Sequence, residues 1–542
     1  MIYPYKDLEN FTLRALLNRS VDLYPNEDAF GKAGKKANSY SDFNTAVERM
    51  VKVLKKNGIQ KGDKVLLLSE NMPNWAVAYF AVTYFGGVIV PILPDFHPSD
   101  VHRIMQHSGA KAAFVSKKHQ ATLESCEDYD IEFVVSLDDL TIVEELRNLD
   151  TMAEIIQNTQ DTHPDEDDLA ALIYTSGTTG NSKGVMLSHK NLLTNAMSAY
   201  GHIQIQKTDV WLSILPLAHT FECTVGLLIP FLHGSSVYYI DKAPTPSVLM
   251  KAFKDVRPTM MVSVPLVIEK IYKSKILPNL TSTPLMRLLY KLPFTRKILN
   301  KIAGKKLIES FGGRLKFCGI GGAGLAPYVE KFLIEAKFPY IVGYGLTETA
   351  PLIAGSISGT KSKLGSTGVA LAGVSIKIRD KDPKTGNGEI IVKSPSIMMG
   401  YYKDEEKTAE VMQDDWFLTE DLGYIDDEGF LFINGRSKNV LIGSGGENIY
   451  PEQIEALINQ YETVDSSLVM HKNNQLIALI HLNEENMTED ELQDKEKLLE
   501  DVRKLLNAQV SSFSKIAKFV EEVEPFIITP TKKIKRYLYA DK

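Results

Sequence analysis

Residues 174–184 read YTSGTTGNSKG, and this stretch decides how the rest of the chain is interpreted. It holds three glycines, five serine or threonine hydroxyls and one lysine. Glycine lets a backbone approach phosphate oxygens closely, and successive N–H groups form a concave anion site. The hydroxyls add hydrogen-bond donors, and Lys183 adds a positive charge. The stretch therefore predicts a phosphate-binding loop rather than a packed core segment or a solvated turn.

The residues on either side of this loop predict its local structure. The apolar run ALIYT (171–175) predicts a strand before it, and HKNLLTNAMSAY (189–200) has apolar residues at helical spacing. We therefore expect the order strand, loop, helix, with a helix N-terminus close to the bound anion. The common nucleotide loop G-x-x-x-x-G-K-[ST] is not matched, because Lys183 is followed by Gly184. This departure argues against a standard P-loop nucleotidase.

Length and composition limit the class of protein. A chain of 542 residues exceeds one hydrophobic core, since a domain has roughly 150 residues. Its net charge of −7 argues against general nucleic-acid binding. Cys126, Cys223 and Cys318 lack metal-site spacing and fit a reducing compartment. The first residues lack the basic and apolar regions of a signal peptide, so we expect a cytoplasmic protein.

One apolar stretch allows two interpretations. Residues 75–93, WAVAYFAVTYFGGVIVPIL, carry no charge and could just span a bilayer. However, Gly86, Gly87 and Pro91 interrupt the stretch, and β-branched residues follow the glycines. A buried helix, a turn and a buried strand are therefore the better interpretation. We expect a soluble protein.

The pattern along the chain predicts an α/β fold with several units. Helical patterns alternate with short apolar runs over residues 1–170, and again over 210–222 and 257–272. Residues 364–435 are rich in Gly, Val and Ile and contain turn sequences, which indicates a β-rich unit. Beyond Gly435 a new small α/β unit begins, with a charged helical region at 483–507.

The loop and its surroundings resemble a known signature. YTSGTTGNSKGVMLSHKNL is similar to the phosphate-binding motif of the acyl-adenylate-forming superfamily, which includes acyl-CoA synthetases, peptide-synthetase adenylation domains and firefly-type luciferases. Five further motifs of that family follow in the family's order, namely PLAHTFE (216–222), GIGGAGLAP (319–327), GYGLTETAP (343–351), the long run WFLTEDLGYIDDEGFLFINGRSKNVLIGSGGENIYPEQIE (416–455) and TPTKKIKRYLY (529–539). The resemblance covers nearly the whole chain.

The resemblance implies a specific architecture. A large N-terminal adenylation domain (1–435) would contain two α/β sheet subdomains and a β-rich subdomain. A small mobile α/β domain (436–542) would follow, with a hinge near 436–439. The family reaction uses ATP and Mg²⁺ to join a carboxylate to AMP with release of pyrophosphate. A thiol, usually that of coenzyme A, then displaces AMP.

The same resemblance assigns the candidate site residues. The phosphate loop would contribute Thr175, Ser176, Gly177, Thr178, Thr179, Gly180 and Lys183. Adenine would lie among Gly321, Gly322, Ala323, Tyr344 and Gly345. Asp421 would bind the ribose hydroxyls and Arg436 either ribose or phosphate, with Lys438 beside them at the hinge. Glu348 would bind magnesium, assisted by Thr175, because Mg²⁺ prefers hard oxygen ligands. The catalytic residues would be Lys533, Thr347, Glu348 and His219.

Some positions depart from the family pattern or allow two interpretations. The family usually has Thr-Gly-Asp where this chain has Thr419-Glu420-Asp421, which puts the loop geometry in question. Lys532 stands where glycine often precedes the catalytic lysine, so the neighbouring lysine stays an alternative to Lys533. His219 fits either a residue bordering the acyl tunnel or a satisfied core histidine.

The motifs also suggest the substrate. PLAHTFE, SVPLVIEKIY (263–272) and TPTKKIKR look closer to long-chain fatty acyl-CoA synthetases than to amino-acid activators. The expected partners are a fatty acid and coenzyme A, with acyl carrier protein as the alternative acceptor. A luciferase-like oxygenase would need oxygen and a luciferin, and a non-enzymatic sensor would tend to lose Lys533. Peripheral membrane contact through the basic C-terminus is a weaker expectation, and both a monomer and a homodimer remain open.

Overall fold

The structure is a computed structural model. It describes residues 5, 7–126, 131–145, 162–175, 182–360, 362–443, 447–472, 475–529 and 533–540. The six loop residues 176–181 therefore lie outside the described part of the chain.

Two large sheets with parallel centres form most of the molecule. The eight-stranded sheet has, in spatial order, the strands Gly400–Tyr401, Lys183–Ser188, Leu169–Thr175, Val88–Ile92, Lys64–Leu68, Ala112–Val115, Phe133–Ser136 and Ile142–Glu145. The nine-stranded sheet has Val369–Ala370, Leu352–Gly355, Tyr340–Gly345, Phe317–Ile320, Met260–Ser263, Val210–Ser213, Ser236–Tyr239, Asp28–Lys32 and Asn38–Ser39.

Helices cover these sheets, and one large core lies between them. Phe30 of the nine-stranded sheet stacks on Phe231 at 5.8 Å, and Phe80 approaches the same ring at 4.8 Å. The described α-helices are Leu13–Leu23, Tyr40–Lys56, Pro73–Tyr84, Pro98–Ser108, Gln120–Glu124, His189–Ser198, Ile229–Leu232, Pro246–Val256, Pro265–Ile271, Leu277–Leu280, Pro284–Lys291, Pro293–Ser310, Pro327–Ala336, Glu405–Val411, Pro451–Ile458, Glu489–Gln493 and Lys495–Asn507.

The apolar stretch at 75–93 has the structure that its glycines and β-branched residues predict. Helix Pro73–Tyr84 is buried along almost its whole length, and the fully buried strand Val88–Ile92 follows after a turn at Gly86. Among the described residues, no helix combines the length and the apolar character needed to cross a bilayer.

The expected order of strand, loop and helix is wrong. After the loop, residues Lys183–Ser188 form a strand that pairs antiparallel with Leu169–Thr175, so the loop connects a hairpin. The helix begins only at His189, where Ser188 and Asn191 form a capping box. A strand of six residues places that helix N-terminus about 20 Å from the loop. The dipole of this helix therefore does not act at Thr175 and Lys183, the cross-strand pair beside the loop.

Three smaller sheets complete the fold. A five-stranded antiparallel sheet contains Ser375–Arg379, Gly388–Lys393, Met412–Gln413, Trp416–Ile425 and Leu431–Arg436, which confirms the β-rich unit. The pair Leu441–Ile442 and Asn448–Ile449 follows. Near the C-terminus, Val464–Lys472, Gln475–Leu482 and Lys518–Glu521 form a three-stranded sheet packed on helices. The predicted fold class is confirmed.

Helices Pro284–Lys291 and Pro293–Ser310, separated by Leu292 alone, form a hairpin on the outside of the nine-stranded sheet. Gly304 of the second helix lies against helix Pro327–Ala336. A Cβ at Gly304 would come within 2.5 Å of the Ala336 carbonyl oxygen and 2.7 Å of its Cβ. The two helices therefore approach each other closely only because residue 304 has no side chain.

We expect Gly304→Ala to lower the free energy of unfolding by about 1–3 kcal/mol, because overpacking at the helix contact outweighs the better helix propensity of alanine. Urea denaturation followed by circular dichroism measures the change. Gly201→Ala is the matched control, because a Cβ at Gly201 meets no atom within 4 Å. Equal midpoints for the two variants would contradict the close contact.

Candidate active site

The predicted site residues that the structure describes gather at the carboxyl ends of the parallel strands of the nine-stranded sheet, which is the edge where α/β proteins usually bind ligands. Gly345 ends strand Tyr340–Gly345, and Gly321 directly follows strand Phe317–Ile320. The β-rich sheet adds residues from its two longest neighbouring strands, and the C-terminal segment adds Lys533.

The segment that carries Thr347 and Glu348 is a single 3₁₀ turn, Thr347–Thr349. Both side chains are half-buried. The Glu348 carboxylate accepts a hydrogen bond from the Tyr401 hydroxyl at 2.9 Å, and its carbonyl oxygen accepts one from Met398 N–H at 2.8 Å. The approach to this turn requires glycine at 345, since a Cβ there would lie 1.8 Å from the Pro351 carbonyl oxygen.

Asn195 fixes this turn from the helix His189–Ser198. Its side-chain amide donates to the carbonyl oxygens of Thr349 at 3.0 Å and Leu352 at 2.8 Å, and its oxygen accepts from Leu352 N–H at 3.0 Å. Asn195 is fully buried. Thr224 adds a fourth contact, donating to the Ala350 carbonyl at 3.0 Å. The position of Glu348 therefore depends on buried hydrogen bonds from neighbouring helices.

A buried charge cluster lies beside the turn. Asp421 and Arg436 face each other on paired strands, with Arg436 Nε 3.1 Å from Asp421 Oδ1. The Tyr344 hydroxyl donates to Asp421 Oδ2 at 2.7 Å. Burial raises the pKa of Asp421, and the Arg436 charge opposes that rise. Tyr344 is thus anchored through its hydroxyl, which leaves the ring as the surface that it can offer to a base.

Lys533 lies within electrostatic reach of the same cluster. The Thr529 hydroxyl accepts a hydrogen bond from Lys533 N–H at 3.1 Å, and Thr529 N–H donates to the Lys533 carbonyl at 2.7 Å. Part of the residue stays open to solvent, yet enclosure by protein lowers the pKa of its ammonium. The Arg436 charge acts in the same direction, and the carboxylates of Asp421 and Glu348 oppose it. Lys533 is therefore a cation held near other charges from three parts of the chain.

His219 lies within electrostatic reach of Lys533. Burial, with a smaller effect of the Lys533 charge, lowers the pKa of His219 to about 4. The imidazole is therefore neutral near pH 7. Its Nδ1 accepts a hydrogen bond from Phe221 N–H at 3.2 Å, which fixes the ring against its own turn. This environment distinguishes it from a histidine enclosed only by apolar core residues.

Thr175 and Lys183 are cross-strand partners at the two ends of the loop that the sequence predicts to bind phosphate. The Lys183 ammonium lies 5.0 Å from the centre of the Tyr401 ring. Burial lowers its pKa, and the charges of Lys407 and Lys438 add to that effect. The predicted loop residues Ser176, Gly177, Thr178, Thr179 and Gly180 lie outside the described residues.

The departure from Thr-Gly-Asp has a structural explanation. Glu420 has a φ of 59°, a left-handed conformation that favours glycine, so the backbone keeps the shape expected of the usual residue. Its carboxylate lies 2.9 Å from the Lys438 ammonium. Lys438 therefore pairs with Glu420, and Asn439 donates to Glu452 at 2.6 Å.

The glycine-rich segment after strand Phe317–Ile320 lies beside Phe221 and Gly343. Gly321 is buried, and a Cβ there would lie 3.1 Å from the Phe221 ring and 3.4 Å from the Gly343 carbonyl oxygen. Gly322 has a φ of 86°, and both Gly322 and Ala323 are exposed. The small side chains leave a shallow wall beside Tyr344 that a flat ring could fit.

Sequence reasoning missed several residues that position the site. Asn71 donates to the Ser213 hydroxyl at 3.0 Å and the Leu215 carbonyl at 2.6 Å, and accepts from Leu217 N–H at 2.9 Å, which holds the segment ahead of His219. Asn195 holds the turn that carries Glu348, and Tyr401 donates a hydrogen bond to the Glu348 carboxylate. A weak signal was present in HKNLLTNAMS, where two asparagines four residues apart interrupt an otherwise apolar helix face.

Taken together, the described residues bring cationic groups, a half-buried carboxylate and the Tyr344 ring into one neighbourhood. Such a set can bind a nucleotide triphosphate and align an anionic nucleophile with it, because two anions react only where positive charge holds them together. Glu348 also has the hard oxygen atoms that magnesium prefers, with a neutral hydroxyl as its hydrogen-bond partner.

Several known proteins are similar to this chain in sequence. A long chain acyl-CoA synthetase 7 (peroxisomal) of Arabidopsis thaliana is 30% identical, with 89% of this chain and 76% of that protein covered. A long-chain-fatty-acid–CoA ligase of Bacillus subtilis is 28% identical over 85% and 83%. The 4-coumarate–CoA ligase 2 of Nicotiana tabacum is 29% identical over 85% and 83%.

A solved structure shows the same fold at lower identity. The O-succinylbenzoate coenzyme A synthetase of Bacillus subtilis, in complex with ATP and magnesium ion, superposes with a TM-score of 0.75 at 24% identity. The match covers 96% of this chain and 98% of that one. The sequence pattern of the AMP-binding enzyme family matches residues 17–402, well over half of the chain. The chain therefore belongs to the AMP-binding enzyme family.

Proposed function

We propose that this enzyme activates a long-chain fatty acid with ATP and transfers the acyl group to coenzyme A. The observation that supports the proposal is that Lys533 lies within electrostatic reach of Arg436, Asp421 and Glu348, with Arg436 and Asp421 in direct contact. In the first half-reaction a carboxylate oxygen attacks the α-phosphorus, an acyl–phosphate bond forms and pyrophosphate leaves. In the second, the thiol sulfur attacks the acyl carbon, AMP leaves and the thiol proton is released.

Each residue has a proposed role in ATP binding. Lys183, with the predicted loop residues 176–180, would hold the β- and γ-phosphates. Asp421 would accept from the ribose hydroxyls, as a carboxylate does in other nucleotide sites. Tyr344 would offer its ring to adenine, opposite Gly321 to Ala323. Bound magnesium would neutralise phosphate charge, held by Glu348 and assisted by Thr175.

Lys533 would supply positive charge to the reacting carboxylate and the α-phosphate, with Thr347 as a neighbouring hydroxyl donor. His219 would border the acyl entrance as a neutral ring. We further propose that residues 436–542 form the mobile domain and that the hinge lies near 436–439. Lys438 would then pair with Glu420 in the adenylation state and separate from it as the domain rotates for thioester formation.

The proposed acid rests on the relatives, two of which are named for long-chain acids and one for 4-coumarate. The test is pyrophosphate release with ATP, magnesium and saturated acids of increasing length, together with 4-coumarate, run with coenzyme A, with acyl carrier protein or with neither. We expect the highest kcat/KM with a long acid and coenzyme A, with AMP as the second product.

Chain-length preference should be graded, since each buried methylene contributes about 0.8 kcal/mol. Turnover only with 4-coumarate would show that the substrate is an aromatic acid and not a fatty acid. Turnover only with carrier protein would favour the alternative acceptor, which the relatives do not support. No pyrophosphate with any acid would refute the proposed activity.

We expect Lys533→Ala to slow pyrophosphate release by about 10²–10³-fold, because a charge aligned with the transition state is lost. The release of acyl-CoA from preformed acyl-AMP should change little, because the proposed role of Lys533 belongs to the first half-reaction. Lys535→Ala is the matched control two residues away. An unchanged rate of pyrophosphate release in Lys533→Ala would remove this lysine from the mechanism.

The lowered pKa of Lys533 also predicts a pH dependence. The ammonium should lose its proton at a lower pH than an ordinary lysine, so kcat/KM for adenylation should fall as pH rises through that lowered pKa. In Lys533→Arg the residual activity should keep its value to higher pH, because a guanidinium stays charged. Identical alkaline limbs in the two proteins would show that another group titrates.

We expect Asn195→Ala to reduce adenylation about tenfold to hundredfold, because the turn carrying Glu348 loses three hydrogen bonds and shifts. The diagnostic readout is the magnesium concentration at half-maximal rate, which should rise. Asn300→Ala is the control, since Asn300 is equally buried but bonds Glu335 on the far helix. A similar magnesium dependence in both variants would reduce Asn195 to a purely structural role.

A further inference from the structure

The helix hairpin 284–310 carries an unusual surface. Residues 270–308 contain ten lysines or arginines and no aspartate or glutamate, in a chain whose net charge is −7. None of the side chains of helix Pro284–Lys291 is buried. Large apolar side chains are exposed along both helices, with Phe294 at 77% and Leu285 at 65%. We call this surface the hairpin face; its apolar members are Leu285, Leu288, Leu292, Phe294, Ile298 and Ile302.

The orientation of the second helix is fixed by its opposite side. Asn300, Gly304 and Leu307 are buried against the protein. Arg296 forms a two-pronged ion pair with Glu335 at 2.8 and 3.1 Å. At 100° per residue, Phe294, Ile298 and Ile302 lie on the side of the helix away from these contacts. These apolar side chains therefore point outward because the other side of the helix is anchored.

The basic residues of the hairpin face flank the apolar stripe. Lys297, Lys301 and Lys305 are exposed and follow one edge of it at helical spacing. No carboxylate of the described residues lies within ion-pair distance of their ammonium groups, whereas Arg296 is paired. Long lysine side chains can lie along an apolar surface while the charged end stays in water. The charges are thus available to an external anionic partner.

We propose that the hairpin face docks the protein on an anionic lipid surface. A row of apolar side chains flanked by lysines is the arrangement of helices that lie in the headgroup region, with the apolar side buried and the charges near lipid phosphates. A nucleic acid would use the charges and have no need of the apolar row. An acidic protein partner would have to cover an apolar row of six side chains as well. Charge complementarity together with the apolar row therefore favours a membrane.

The hairpin face contains none of the predicted site residues. Both helices pack on the outside of the nine-stranded sheet, and the proposal does not require that the chain act on fatty acids. It also assigns the contact to a different region from the basic C-terminus suggested by the sequence. Adenylation of a water-soluble short acid should therefore be unaffected by changes on the hairpin face.

The test is co-sedimentation of the full chain with vesicles of phosphatidylcholine or of equimolar phosphatidylcholine and phosphatidylglycerol. We expect binding to the anionic vesicles, weaker binding at about 1 M than at about 0.15 M salt, and little binding to the neutral ones. Lys297→Gln/Lys301→Gln should weaken binding about 25-fold, at about fivefold for each charge removed near the surface. Lys381→Gln/Lys384→Gln removes the same charge from an exposed turn and should bind like the unmodified protein.

A second pair of variants tests the apolar row. Phe294→Ser/Ile298→Ser should weaken vesicle binding at least tenfold, whereas Leu505→Ser/Val523→Ser, equally exposed elsewhere, should not. If neither hairpin variant changes binding, or the unmodified protein does not sediment with anionic vesicles, the proposal is wrong. If the lysine variant loses binding to vesicles and to heparin alike while the apolar variant keeps both, the face is a general polyanion site and not a lipid one.

Discussion

The buried carboxylate of Asp421 is the constraint on which the arrangement of the site depends. A carboxylate removed from water needs a positive or donating partner, and Asp421 has both in Arg436 and Tyr344. Arg436 faces it within the β-rich sheet, whereas Tyr344 belongs to the nine-stranded sheet. One carboxylate therefore joins two sheets, and loss of Arg436 would leave it without its positively charged partner. Lys533 approaches a surface that is already held in place.

Two asparagine side chains hold other segments of the site in place. Asn195 bonds three backbone groups around the turn of Glu348, and Asn71 bonds three polar groups ahead of His219. Each side chain comes from a different element than the segment it holds. Buried polar groups of this kind are stable only when nearly every donor and acceptor is satisfied. These hydrogen bonds fix both segments from elements that are distant in the sequence.

The sequence predicts the class of fold and the charged residues of the site, but not the way in which they are supported. Family motifs include the charged residues Lys533, Asp421 and Glu348, so local patterns could single them out as candidates. Asn195, Asn71 and Tyr401 could not, because their partners lie far away in the chain. The expectation of a helix directly after the loop was wrong because KGVMLS pairs with the preceding strand, so the helix begins only at His189, where the helical spacing starts.

The left-handed conformation of Glu420 limits which substitutions this chain can accept at positions 420 and 438. A non-glycine residue in the left-handed region costs about 1–2 kcal/mol, and a half-exposed ion pair such as that with Lys438 returns about 1 kcal/mol or less. The strain and the ion pair are thus tied together. Substitutions at positions 420 and 438 should therefore not be independent. A lysine at 438 compensates for a glutamate at 420. A glycine at 420 would remove the backbone strain, but Lys438 would then lose the carboxylate with which it pairs.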